Sequence, residues 1–467
     1  MASPQRSGVE ARTVRLGAGM AFWGDRIQPA VDMVTRADID YLCCDHLAEL
    51  TMSILAKARR RNPELGYTSD LIPLLRAVLP TAHARGIRVV TNGGGANPAA
   101  AGRAVVALAR ELGLTGLTVA VVTGDELDDR VDDLLAAGVD LRNLDTGQAL
   151  SEVRDRLTHA SAYAGADGIV EALEAGADVV VCGRVTDIAL YLGPMRHELG
   201  WPADDWHRLG AGTVVAHAIE CGGQATGGLY AADWAGVPGL EDLGYPIAQV
   251  SEDGTAVITK TPDSGGRVDI GTLSEQLVYE ILDPAAYLTA DVTADFTGVR
   301  LEEIGLDRVR LTGGTGRERP ATLKVNAGYR AGFVGEARFT YTWPDALAKA
   351  ERGLAFLRNR LALADFQCSA EFVDYPGLAS MWGPRVQPPD DPDLPEITVR
   401  YAARCPTRRR RARCSPRASR STTTAPRASP ESARAPRSRS CMPCGRPSSR
   451  ASWSPITSSW RRSDARR

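Results

Sequence analysis

The sequence predicts an α/β protein: a mainly parallel sheet with flanking helices, followed by a smaller α+β unit. Three observations carry the prediction. Short runs of β-branched and aliphatic residues recur through residues 12–204. Segments of helical periodicity separate them, which is the pattern of βαβ units around a buried parallel sheet. Polar residues collect directly after the runs, where the carboxyl ends of parallel strands form a ligand crevice.

Residues 1–11 are expected to be a flexible N-terminus, without the apolar segment of a secretory leader. Strands are predicted at VRLG (14–17), DYLCC (40–44), IRVVT (87–91), LTVAVV (117–122) and ADVVVCG (177–183). Between them LAELTMSILAKARR (47–60), DLIPLLRAVLPTAHARG (70–86), PAAAGRAVVALAREL (98–112) and GIVEALEAG (168–176) read as helices. Asn97 is a natural N-cap, and Pro98 suits a first helical position. These elements make residues 12–204 a Rossmann-like core.

After about residue 205 the pattern changes. Residues 212–220 read as a helix closed by glycines. Asp253-Gly254 lies between two alternating runs and predicts a β-hairpin. SEQLVYEIL (274–282) reads as a helix, RVRLTGG (308–314) as a strand, and residues 323–343 as two strands. A long helix opens at Pro344-Asp345, and ITVRYAA (397–403) reads as a strand. The expected organisation is a mixed continuation over 205–345, then a partial α+β unit over 346–403.

Composition separates a body from a tail. Residues 401–467 hold eighteen arginines, no lysine and only Glu431 and Asp464 as acids, a charge of +16 that leaves −18 on the rest. The segment 404–467 lacks aliphatic periodicity and is expected to be disordered. Out-of-frame translation of GC-rich coding sequence accounts for its Arg, Ser and Pro better than a nucleic-acid-binding arm does. A zinc site at CMPC (441–444) has no second ligand pair. No run reaches the eighteen or so apolar residues of a membrane span. The expected location is the cytoplasm, with the nine cysteines reduced.

Candidate chemistry lies in the loops after the strands. The TNGGGANP turn has no Lys-Ser/Thr of a Walker loop and no third glycine of the dinucleotide fingerprint, so no nucleotide signature is present. Glycines at a helix start can still hold an anion, which makes Asn92, Gly93, Gly94, Gly95 and Asn97 candidate anion ligands. A tight structural turn is the alternative. Arg184 offers a planar fork to a carboxylate or phosphate, or pairs with Asp187; Asp125, Asp187 and Gln224 complete the candidate binding set. Asp25, Asp45, Glu49, His217 and Glu220 are the candidate proton-transfer groups, with His217, Glu220 and Cys221 on one helix face. A core helix with one satisfied histidine is the competing reading. Asp25, Asp45 and Asp125 together are also candidates for a divalent cation. Cys43 and Cys44 read as buried strand residues, and His46 as a polar loop residue.

The blocks FWGD (22–25), DYLCCDHLAELTMSIL (40–55), VVTNGGGANP (89–98), ADVVVCGRVTD (177–187), GTVVAHAIECGGQATGG (212–228) and TPDSGGRVDIGTLSEQLVYEILDP (261–284) resemble the acyclic terpene utilisation (AtuA) family. The resemblance runs through most of residues 12–345. It implies an α/β domain followed by a region often ending in a ferredoxin-like domain, here incomplete because the basic tail replaces a glycine-rich block. It also implies work beside acyl-CoA carboxylases and dehydrogenases in the breakdown of terpenoid and branched acids. The expected function is a hydration or lyase step on an acyl-CoA thioester or carboxylate, in a homo-oligomer that binds neither membrane nor nucleic acid. The alternative is a non-catalytic binding or assembly subunit of an acyl-CoA carboxylase system.

Overall fold

The computed structural model describes residues 12–363, 366–376 and 394–405 and the backbone of 458–462. The N-terminal residues 1–11 lie outside the described residues. The chain divides into two compact units, one of Met1–Tyr329 with Thr457–Arg467 and one of Arg330–Ile456. The division falls after Tyr329, where the sequence places a break after 345.

In the first unit β1 (Thr13–Met20) leads through α1 (Gln28–Arg36) to β2 (Tyr41–Cys44). Helices α2 (Glu49–Arg61) and α3 (Leu71–Arg85) precede β3 (Arg88–Thr91), and α4 (Pro98–Glu111) precedes β4 (Val119–Val122). The chain then leaves the sheet through α5 (Val131–Ala136), β5 (Leu141–Asn143) and β6 (Leu157–Ala162). It returns by α6 (Asp167–Glu174) to β7 (Val179–Cys182), which enters between β3 and β4. All five predicted strands are present and pair in parallel. Every residue of β2 and β7 is buried, which is why both read as unbroken apolar runs. The order β1-β2-β3-β7-β4 does not reverse around the first strand as in dinucleotide-binding sheets.

Two helices follow, α7 (Ala189–Leu199) and α8 (Trp206–Glu220). α8 starts six residues before the predicted Gly212, because Asp205 accepts from the Arg208 amide as its N-cap. It is buried from Leu209 to Glu220, a helix apolar almost all round and sunk in the core. The predicted hairpin forms β8 (Pro246–Ser251) and β9 (Ala256–Lys260), turning at Gly254 with φ +86°. α9 spans Ile270–Val278, not 274–282. Asp269 and Thr272 form a capping box that fixes the earlier start, and Glu280 adopts φ +59°, which cannot continue a helix.

Short strands β10 (Tyr287–Leu288) and β11 (Thr293–Asp295) precede β12 (Arg300–Gly305), β13 (Arg308–Thr312), β14 (Thr315–Arg317) and β15 (Lys324–Tyr329). Antiparallel strands extend the large sheet beyond β1 in the order β8, β9, β13, β12. β10, β11 and β14 form a small sheet. The main core lies between the nine-stranded sheet and its helices, with Leu16, Leu42, Val90, Val180 and Val214 fully buried.

The second unit contains β16 (Phe333–Thr342), α10 (Ala346–Leu363), β17 (Ala370–Asp374) and β18 (Glu396–Cys405). Its antiparallel order is β16-β18-β17, and Leu357 and Leu361 of α10 share a core with Phe339, Tyr341, Val399 and Tyr401. This is the smaller α+β unit. Arg404 and Cys405, assigned to the tail from sequence, complete β18. A further strand, β19 (Ser458–Arg462), pairs through its backbone with β15 and β5; the remaining tail lies outside the described residues. Among the described residues no helix is long and apolar enough to cross a membrane.

Candidate functional site

The loops after β1, β2, β3, β7 and β4 carry most of the polar candidates. Asp45 leaves the end of β2 and is 6% exposed. Its Oδ1 accepts from Asn92 Nδ2 at 2.5 Å and from the Leu47 amide at 3.0 Å. Asn92 Oδ1 accepts in turn from the His46 amide at 2.8 Å, so one amide side chain locks the β2 loop to the β3 loop. Burial, reinforced by Asp187, pushes the Asp45 carboxyl well above the usual range, against the opposing pull of Arg184. His46 is fully buried, with Nδ1 3.3 Å from Asp70 Oδ1. It is the loop residue read from sequence, but buried rather than solvated.

Arg184 is the hub. Its amide donates to Asp125 Oδ2 at 2.9 Å, and its side chain is 1% exposed. The guanidinium donates to the Leu47 carbonyl at 2.8 Å, to the Val185 carbonyl at 2.7 Å and to Asp187. Its carbon lies 4.4 Å from the centre of the Tyr163 ring, and Lys324 Nζ lies 4.7 Å from the same ring. Tyr163 and Lys324 both donate to Glu49 Oε1, at 2.6 and 2.8 Å. Against the upward push of burial, those two partners hold Glu49 down at about 2.

His217 and Glu220 form a second buried group. Nδ1 of His217 is 2.7 Å from Glu220 Oε1, and both residues are buried. The Gln276 side chain donates to the His217 carbonyl at 2.7 Å. Tyr287 and Phe296 flank the imidazole, with ring centres 5.9 and 5.6 Å away. Burial raises the Glu220 carboxyl, with its hydrogen bond to His217 opposing and Asp187 and Glu280 adding to the rise. Burial and then Cys43, Asp45, Cys44 and Glu220 raise the Tyr191 phenol. Cys221 senses Glu220 and Asp45 as well, and burial keeps it a protonated thiol. His217 Nε2, Glu220 Oε2, Tyr191 Oη and Thr213 Oγ1 are buried without a hydrogen-bond partner among the described residues. Such atoms are costly unless something satisfies them.

The candidate residues thus separate into three sets. Asp187, bonded to Arg184, acts electrostatically on both Asp45 and Glu220, while His217 pairs with Glu220. Asp25 instead accepts from Tyr245 at 2.8 Å and from the Ala21 amide, tying the β1 loop to the start of β8. In the glycine turn, four amides are already engaged within the protein. Gly93 donates to Thr91 Oγ1, Gly95 to the Asn92 carbonyl, Ala96 to the Gly66 carbonyl and Asn97 to the Gly94 carbonyl. A Cβ at Gly94 would sit 2.5 Å from the Cys182 carbonyl, and one at Gly95 would sit 2.3 Å from Leu55. Close packing thus requires glycine at 94 and 95, and Asn97 caps α4 while holding the Pro63 and Leu65 carbonyls. Arg184, likewise, has its fork filled by the protein.

Asp25, Asp45 and Asp125 each have separate partners, and among the described residues no three His, Cys, Asp or Glu side chains group as metal ligands. Gln224 closes a short 3-10 turn after α8. Tyr163, Tyr191, Gln276, Tyr287 and Lys324 were not candidates from sequence. They reach the site from elements remote in the chain, and only Tyr191, in the turns after GRVTD, carried a local signal.

The family described as "Acyclic terpene utilisation family protein AtuA" matches residues 14–442. No curated protein and no solved structure matches the chain significantly. Family membership suggests a role in acyclic terpene utilisation. With the match covering nearly the whole chain, the protein belongs to the AtuA family.

Proposed function

We propose that the protein is an enzyme of terpenoid or branched-acid breakdown that moves protons in a hydration or lyase step on an acyl-CoA thioester or carboxylate. One observation carries the reading: the buried His217–Glu220 pair, with His217 Nε2 and Glu220 Oε2 unpartnered, in electrostatic reach of groups that also sense Asp45. A carboxylate on Nδ1 orients an imidazole and leaves Nε2 as the base. Burial raises the Asp45 carboxyl well above its ordinary value, which suits it to the acid role.

In hydration of an unsaturated acyl group, His217 Nε2 takes a proton from water as the water oxygen bonds to the β-carbon. Asp45 gives its proton to the α-carbon, and the lyase or dehydration direction runs in reverse. Arg184 holds the Asp187 side and the Leu47 carbonyl, fixing the loop that carries Asp45. The test is turnover of a panel of branched acyl-CoA thioesters and acids. His217→Gln and Asp45→Asn should each lower turnover about a hundredfold to ten-thousandfold. Unchanged turnover in both variants would falsify the assignment.

A further inference from the structure

We propose that the outer edge of β16 is an interface with a second copy of this chain. Two β16 strands pair antiparallel about a two-fold at Ala337, and the three-stranded sheets of the two copies join into one.

Hydrogen bonding defines the edge. β16 borders the sheet β16-β18-β17. Just past its end, the Trp343 amide donates to the Pro395 carbonyl at 2.8 Å, in line with the β16–β18 register. Backbone groups of successive strand residues point to opposite edges, so the odd-numbered residues of β16 face β18. The Thr340 and Thr398 hydroxyls, 2.9 Å apart, agree, because side chains approach most closely at the pairs without backbone bonds. Val334, Glu336, Arg338 and Thr340 therefore turn N–H and C=O outward, with no backbone partner on that side among the described residues. Lys349 Nζ takes the outward Thr342 carbonyl at 3.2 Å and closes that end. An unpaired edge of this length is a template for another strand.

The side chains choose the partner and the register. Glu336 and Arg338 share the face away from α10 and are 38% and 59% exposed. Within the copy Arg338 donates to Glu336 at 2.9 Å, and Arg400 reaches Glu336 at 3.4 Å. A two-fold at Ala337 sets Glu336 opposite Arg338 of the second copy, twice over, and makes every outward residue from 334 to 340 a hydrogen-bonded pair. On the face toward α10 it sets Ala337 opposite itself, Gly335 opposite Phe339 and Phe333 opposite Tyr341. Centring on 336 or 338 would oppose like charges, and centring on 335 or 339 would leave both charges unmatched. The other border strand, β17, carries Glu371 and Asp374 and no base. The chain's own later segment is a poor occupant, since residues 406–455 contain no Leu, Ile, Val, Phe or Tyr. The 377–393 connection carries Pro384, Pro388, Pro389 and Pro392, which cannot donate to a ladder.

The experiment is sedimentation velocity on the full chain across the micromolar range, where a small strand-edge interface should hold a dimer. Arg338→Glu opposes acids at both charged positions and Glu336→Arg opposes bases. Each alone should weaken self-association about tenfold or more. Mixed, the two variants restore both opposite-charge pairs and should form a heterodimer near the parent's affinity, a rescue that no folding defect can produce. Ala337→Cys should give a disulfide-linked dimer under mild oxidation that the parent does not. Facing residues of a pair without backbone bonds lie about 4.5 Å apart at Cα, within disulfide reach. A parent that stays monomeric throughout overturns the inference, including one whose own chain covers the edge. A dimer that both charge variants leave intact overturns it too, because the copies then meet through another face. Two weakened variants that fail to associate when mixed overturn the register at Ala337.

Discussion

Replacing Arg184 with methionine tests whether one buried cation holds the site together. Methionine keeps most of the length and none of the charge. The change strands the Leu47 and Val185 carbonyls, removes the bond to Asp187 and uncovers the Tyr163 ring that lay 4.4 Å from the guanidinium. Each buried carbonyl left unmade costs about 1–3 kcal/mol, and loss of a desolvated cation–π contact about 1–2 kcal/mol. Relaxation and water entry recover part of this sum. The net expectation is about 3–5 kcal/mol, the range for removing one partner of a buried ion pair. Arg184→Lys keeps the charge but cannot fork to three acceptors, so it should recover less than half of the loss. The assay is urea unfolding with the transition of the large unit followed by tryptophan fluorescence. A methionine variant within about 1 kcal/mol of the parent, well below the expected loss, would refute the reasoning that Arg184 organises these loops.

Further outcomes follow from single residues. Gly95→Ala places a Cβ 2.3 Å from Leu55 Cδ1 at φ +52°, and should cost about 2–5 kcal/mol in the same urea assay. Asn92→Leu should uncouple the β2 and β3 loops at a cost of about 1–3 kcal/mol, visible as faster amide exchange at His46. Glu49 sits at about 2 against an ordinary 4.5. Its depressed value stabilises the fold above the unfolded value and is lost as pH falls from about 4.5 toward 2. Its side chain is 40% exposed, so solvent screening cuts the gain to about 1 kcal/mol. Lys324→Met should flatten that acid limb in stability measured against pH, and an unchanged limb counts against the pair.

The parallel core was legible because burial on both faces leaves an unmistakable apolar run, as in Tyr41–Cys44 and Val179–Cys182. The Asp253-Gly254 turn was equally plain, since its chemistry is local. The start of α9 was written in Asp269 and Thr272, but the apolar pattern of SEQLVYEIL drew the reading downstream. The site was half legible. Asp45, Arg184, Asp187, His217 and Glu220 each follow a strand or share a helix face, so short-range pattern found them. Roles were harder to read. Three glycines look the same whether they cradle an anion or admit Leu55 and a carbonyl. Likewise, an arginine fork reads as free until Leu47 and Val185, from separate loops, are seen to fill it. Tyr287 and Lys324 enter through the return of the chain, which no local pattern records.

The most direct measurement of proton transfer is deuterium incorporation at the carbon next to the carbonyl of branched acyl thioesters incubated with the protein in heavy water, read by mass spectrometry. The parent protein should incorporate deuterium, and His217→Gln should slow it by about a hundredfold or more. Incorporation at the parent rate in His217→Gln would contradict the claim that the buried His217–Glu220 pair moves the proton.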